Sequence, residues 1–143
     1  MTRGQKRAMR EAWPHYGIRF QHDEVLDLDK YFSFPGPLVI EIGFGMGHHL
    51  VHLAKQLPEH RILGIEVHRP GLAAPAGKLA VNDCGNVRLI RGDARLVFSD
   101  LLPVSIARSI IIQFPDPCPN RGDELRRLIL PGMLSVMEKI LES

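Results

Sequence analysis

Cysteine is scarce: Cys84 and Cys118 are the two in 143 residues, and no C-x-x-C spacing links them. A disulfide framework is therefore not expected, and both thiols read as free. Long apolar runs are missing as well. None approaches the roughly 20 residues of a membrane-spanning helix, and the basic N-terminus lacks the apolar stretch and small-residue cleavage site of a signal peptide. A cytosolic location is expected. Repeats and low-complexity segments are also absent. What remains, 45% hydrophobic and 24% charged residues, is an ordinary globular composition that excludes intrinsic disorder. One domain is expected, and a chain this long buries roughly two-thirds of its unfolded surface without a structural metal.

Net charge is low, at +2, but unevenly spread. Residues 1–20 carry Arg3, Lys6, Arg7, Arg10 and Arg19 against Glu11, so this stretch is +4 and the rest is −2. Such an asymmetry suits either a cationic arm on a polyanion or a solvated terminus, and composition leaves both open.

Phe34-Pro35-Gly36-Pro37 ends the polar lead-in, dividing a basic N-terminal arm (1–33) from the domain proper (34–143). Leu38-Val39-Ile40, running into Glu41-Ile42-Gly43, predicts a buried parallel strand. Leu50, Leu53, Ala54 and Leu57 recur at helical spacing until Pro58. Residues 62–67 predict a second strand, and 71–81 a helix that Pro75 should shorten or kink. Residues 87–90 form a third strand and 94–102 a short helix. The β-branched stretch 107–114 is a fourth strand, and a last helix runs from Pro131 to about Leu141. Strands alternating with helices imply right-handed βαβ units, hence an α/β, Rossmann-like fold with a parallel sheet covered on both faces.

Ligands on such sheets bind beyond the carboxyl ends of the strands, and here those ends are acidic. Strand one ends in Glu41 and a G-x-G-x-G turn, Gly43, Gly45 and Gly47, where missing side chains admit a ligand close to the backbone. A dinucleotide fingerprint requires glycine at position 48, but His48 stands there, which disfavours pyrophosphate and a nicotinamide dehydrogenase. Glu66 ends strand two at roughly the twenty-residue interval at which an acid accepts from ribose hydroxyls. Asp93 ends strand three and suits a base's amino group, and Asp116 follows strand four in a proline-stiffened turn. Singly, each acid is as well explained as a helix cap. Together, around a glycine turn with no phosphate grip, they suit a cationic nucleoside such as S-adenosylmethionine.

The residues that carry this pattern resemble the bacterial tRNA (guanine-N7-)-methyltransferases of the TrmB type. The matching stretches are RGQKRA from Arg3 to Ala8, VIEIGFGMGHHLVHLAKQLPEHRILGIEVHRPG from Val39 to Gly71, NVRLIRGDA from Asn86 to Ala94, and FPDP from Phe114 to Pro117. The resemblance implies an S-adenosylmethionine-dependent methyltransferase fold acting on the variable-loop guanine of tRNA. It implies that Glu41, Gly43, Gly45, Gly47, Glu66, Asp93 and Asp116 bind the cofactor, with Asp116 also catalytic. Arg3, Lys6 and Arg7, with Asn120, Arg121, Arg126 and Arg127, fall where that family meets its substrate.

The pattern departs from the family after the P-D-P. Cys118 stands for its tryptophan and Asn120 for its lysine, while Asp123 and Glu124 would repel phosphate where the family attracts it. The family's fifth strand and its Thr-Asp-Trp motif are not found, so the fold is expected to lack the C-terminal strands. The fourth strand would then be an exposed edge and a route to self-association. The alternative function is a catalytically silent remnant that binds cofactor or RNA. His48 and His52 share a helix face at metal-ligand spacing, but without a third ligand they read as a polar face, and no metal is expected. Met133 and Met137 read as core.

Overall fold

The computed structural model describes residues 2–21, 24–67, 72–112 and 131–142. Four strands, β1 (Leu38–Ile42), β2 (Arg61–Glu66), β3 (Val87–Arg91) and β4 (Ala107–Ile112), form one parallel sheet in the order β3-β2-β1-β4. The helices are α1 (Arg3–Tyr16), α2 (His48–Gln56), α3 (Ala73–Val81), α4 (Ala94–Leu96) and α5 (Pro131–Ile140), with a 3₁₀ turn at Leu28–Lys30 and a π-helical turn at Val97–Leu101. The α/β parallel architecture expected from sequence is present. Among the described residues no helix is long and apolar enough to cross a membrane.

The two faces of the sheet follow from the period of two along each strand. Leu38, Ile40 and Ile42 of β1, Leu63 and Ile65 of β2 and Ile90 of β3 turn to one side, against Phe32, Phe98 and the inner side of α5. Met133 and Met137 are buried there, as the sequence suggested. Val39, Ile62, Val87 and Leu89 turn to the other side, beneath α2 and α3. The same alternation puts Glu41 with Val39, and Gly64 and Glu66 with Ile62. Both acids therefore emerge on the α2/α3 face, at the carboxyl edge of the sheet.

The lead-in is more structured than its polarity suggests. Residues 3–16 form α1, which packs on α3 and β3 through buried Ala12 and Tyr16, and the Ile18 N–H donates to the Leu89 carbonyl at 2.8 Å. The segment read as an arm thus contributes Tyr16 to one core cluster and Ile18, Leu26, Leu28 and Phe32 to the other. Pro75 does not kink α3. It is the third residue of that helix, within the first turn, where a backbone N–H has no intrahelical acceptor to lose. The helix expected over 94–102 divides into one α turn and a π-helical turn closed by Leu102 N–H to Val97 carbonyl at 3.0 Å.

On its far side from β1, β4 meets other described residues at its start. Ala107 forms a parallel bridge with Leu141, and Glu142 N–H donates to the Ala107 carbonyl at 2.8 Å. Arg108, the extra residue where the β1–β4 register shifts, pairs with Glu142 at 3.2 Å. Beyond that point no described residue pairs with the outer edge of β4.

Candidate active site

The turn after β1 is built on three left-handed backbones. Gly43, Gly45 and Gly47 have φ of 72°, 55° and 87°, a region that residues with a Cβ avoid. The spacing read in the sequence is therefore a conformational requirement. Gly47 is constrained twice, because a Cβ there would stand 2.8 Å from Cα and Cβ of Pro75, so α3 sits directly on the turn. Phe44, between the glycines, is buried, and its ring covers Gly64 of β2, where a Cβ would come within 2.8 Å of it.

Glu41 is fully buried at 0% exposure. Its Oε1 lies 2.7 Å from Nδ1 of His49, on the first turn of α2, while its Oε2 has no hydrogen-bond partner. Burial pushes the carboxyl above its ordinary range, and the His49 contact works against that rise. The folded state then holds a proton to higher pH than the unfolded chain. Stability falls as pH rises from the ordinary carboxylate range toward the raised value, and is level above it. Glu41→Gln removes this loss while keeping the acceptor for His49. We expect the variant to gain roughly 1 kcal/mol on wild type between pH 4 and pH 7. Denaturant unfolding at both values checks this, and an unchanged difference would contradict a buried, charge-penalised Glu41.

Glu66 ends β2 at 7% exposure, with Oε1 accepting from the Val67 N–H at 3.1 Å. Asp93 lies two residues past the end of β3 and caps α4, accepting from the Arg95 N–H at 2.9 Å and pairing with the Arg95 guanidinium at 2.8 Å. This carboxylate thus performs the helix-capping role that its position also allowed. Asp116 lies outside the described residues, as do Cys118, Asn120, Arg121, Arg126 and Arg127. The structure therefore brings Glu41, the three glycines, Glu66 and Asp93 to the carboxyl ends of three adjacent strands.

Three features of this edge were not read from the sequence. Met46, Val67 and Leu96 are 57%, 45% and 52% exposed, and each closely follows a strand end or its turn, giving the edge an apolar rim. Lys78 of α3 donates to the Met46 carbonyl at 2.9 Å and lies 3.1 Å from Nε2 of His48. His49, between the two histidines of the polar face, instead touches the buried acid and stacks on His52 with ring centroids 6.2 Å apart. The apolar residues that follow the strand-end acids were the available signal for the rim. Nothing in spacing alone distinguishes His49 from His48.

Of the basic residues on α1, Arg3, Lys6 and Arg7 are exposed, and Arg7 forms an i,i+4 pair with Glu11 at 3.0 Å. So exposed a pair leaves the helix cationic and adds little stability.

Residues 35–143 match the model of a family described as "Putative methyltransferase". The chain is 40% identical over 129 residues to the tRNA (guanine-N(7)-)-methyltransferase of Vibrio cholerae serotype O1, covering 90% of this chain and 54% of that one. It is 40% identical over 134 residues to the Aeromonas hydrophila protein of the same name, covering 94% and 56%. The chain thus spans about half the length of the curated relatives it matches. Among solved structures, a 30S ribosomal A1408 methyltransferase from an uncultured bacterium superposes with TM-score 0.62 at 19% identity, over 88% of this chain and 58% of that one. A SAM-dependent methyltransferase from Aquifex aeolicus superposes with TM-score 0.57 at 18% identity, over 80% and 56%. The fold is that of the Rossmann-like methyltransferases.

Proposed function

We propose, from the fact that this chain belongs to the methyltransferase family of its tRNA (guanine-N(7)-)-methyltransferase relatives, that it uses S-adenosyl-L-methionine to methylate guanine N7 in tRNA, at the variable-loop guanine. The observation that carries the reading is the glycine turn, left-handed at Gly43, Gly45 and Gly47, beside the buried acids Glu41 and Glu66 on one face of the carboxyl edge. A cradle closed to any Cβ and a buried, unpartnered carboxylate oxygen fit a cationic nucleoside. Bound there, the cofactor supplies an electrophilic methyl group on a sulfonium.

The chain's own residues then have limited chemistry to perform. Guanine N7 carries an in-plane lone pair at neutral pH, so no general base is required. Alignment of N7 supplies most of the barrier reduction. Glu41 and Glu66 hold the cofactor, and Val67 and Leu96 wall its base. Asp116 orients the guanine and stabilises the positive charge that develops on it. Arg3, Lys6 and Arg7 meet tRNA phosphate, with Asn120, Arg121, Arg126 and Arg127 on the substrate side. Such work belongs in the cytoplasm.

The test is transfer of labelled methyl from S-adenosylmethionine to tRNA lacking N7-methylguanine, with Asp116→Ala as control. Transfer that depends on Asp116 supports the reading. A folded chain that binds cofactor and transfers nothing replaces it with a silent cofactor- or RNA-binding domain, a reading that the Asp93–Arg95 pair favours because it competes for one cofactor acid.

The outer edge of β4, which past Ala107 pairs with no other strand among the described residues, also supports self-association of the 143-residue chain, since open strand edges seek a second strand. Light scattering after gel filtration should show a mass above monomer that rises with concentration. A monomer across the whole range would remove this proposal.

A further inference from the structure

We infer that His49 is a positioning residue for this site, fixing the Glu41 carboxylate toward a cationic cofactor and making affinity for that cofactor rise with pH. The inference rests on the function proposed above.

Glu41 lies on the apolar face shared with Val39, Phe44 and Leu50, where an ionised carboxylate needs compensation. Among the described residues, its hydrogen bond comes from His49 Nδ1 at 2.7 Å. That contact occupies Oε1 and leaves Oε2 as the remaining acceptor, fully buried and unpartnered. A carboxylate held by one oxygen keeps a single orientation for the other, so His49 sets the direction in which Glu41 can accept. The His49 side chain is itself 35% exposed, whereas the Glu41 side chain that it holds is 0% exposed.

The pH sense follows from charge. With His49 protonated, the pair is neutral and offers a cation little attraction. With His49 neutral, Nδ1–H still donates to Oε1, and the pair carries −1. A cationic ligand therefore binds better to the pair with His49 neutral than with His49 protonated, and so better at higher pH. Other charged groups on the packed elements are His52, stacked on the His49 ring; Lys78 of α3, which engages His48; and Glu66 at the end of β2.

Calorimetric titration of the folded chain with S-adenosylmethionine at pH 5.5 and pH 7.5 tests the inference. Wild type is expected to bind roughly tenfold more tightly at pH 7.5, the usual size of coupling between charges a few ångströms apart. His49→Asn keeps a donor without a titrating ring. It should hold the pH 7.5 affinity within about threefold and lose most of the pH dependence. His49→Leu removes the donor and should lose roughly tenfold at pH 7.5. Circular dichroism confirms folding, and His48 and His52 stay in every variant. A pH dependence in His49→Asn equal to that of wild type overturns the inference and leaves the methyltransferase reading standing. A folded wild-type chain that binds no S-adenosylmethionine at either pH overturns both.

Discussion

Gly47→Ala is expected to lower the midpoint of thermal unfolding by about 10 °C, whereas Gly132→Ala leaves it unchanged or raises it slightly. Two costs add at Gly47. Its φ of 87° lies in the left-handed region, where a residue with a Cβ loses roughly 1–2 kcal/mol. The new methyl would also meet Pro75 Cα and Cβ at 2.8 Å, and these are backbone and ring atoms that cannot rotate away. Relieving such a contact shifts α3 off the turn, at roughly 1–3 kcal/mol. Against a total stability of about 5–15 kcal/mol this is a large fraction. Gly132 lies in the first turn of α5, and a Cβ added there would meet nothing within 4 Å, so alanine only stiffens the helix. Circular dichroism melts of the two variants decide the matter: equal midpoints would mean that α3 does not lean on the turn. Because that turn borders the proposed cofactor, Gly47→Ala should also weaken cofactor binding more than its stability loss explains.

The pattern that located this turn was legible because it is local. Three glycines two residues apart after an apolar run can be read without knowing what lies across from them, and left-handed φ values follow. The acids at Glu41 and Glu66 were legible for the same reason, since a period of two fixes their face once the strands are placed. Of the two effects expected of Pro75, a kink does not occur, because the helix starts at Ala73 and so places the proline in its first turn. The packing of α1 was hidden by its charge. Ala12 and Tyr16 are four residues apart on one face, but five cations in the first 20 residues outweigh them in any average. Asp93 shows a deeper limit. An acid that caps a helix and an acid that binds a ligand occupy the same place after a strand, and only the Arg95 contacts reveal the first use. His49 needed the third dimension, because eight residues of chain separate it from the carboxylate it touches.

Glu66→Ala and Asp116→Ala should separate binding from chemistry. Glu66 is held at the end of β2 with 7% exposure, and the Val67 N–H at 3.1 Å steadies its Oε1. A carboxylate so fixed can accept from both ribose hydroxyls, each charge-assisted bond contributing about 1.5–3 kcal/mol. Its loss is expected to weaken S-adenosylmethionine binding roughly a hundredfold, with transfer recovering in part when cofactor is raised to saturation. Asp116 has the opposite signature under the proposed mechanism. It acts on the guanine, which becomes cationic as the methyl arrives, so its removal affects a charge that is absent from the bound substrate and develops in the transition state. Transfer at saturating cofactor should fall by roughly a hundredfold to a thousandfold, with cofactor affinity changed less than about tenfold. Since no proton is taken from N7, the pH profile of residual transfer in Asp116→Ala should match wild type in shape. Equilibrium binding and single-turnover transfer, measured on both variants, give the two numbers needed for each. If both substitutions reduced binding and transfer in equal proportion, Asp116 would be one more cofactor ligand, and the orientation of guanine would have to come from elsewhere in the chain.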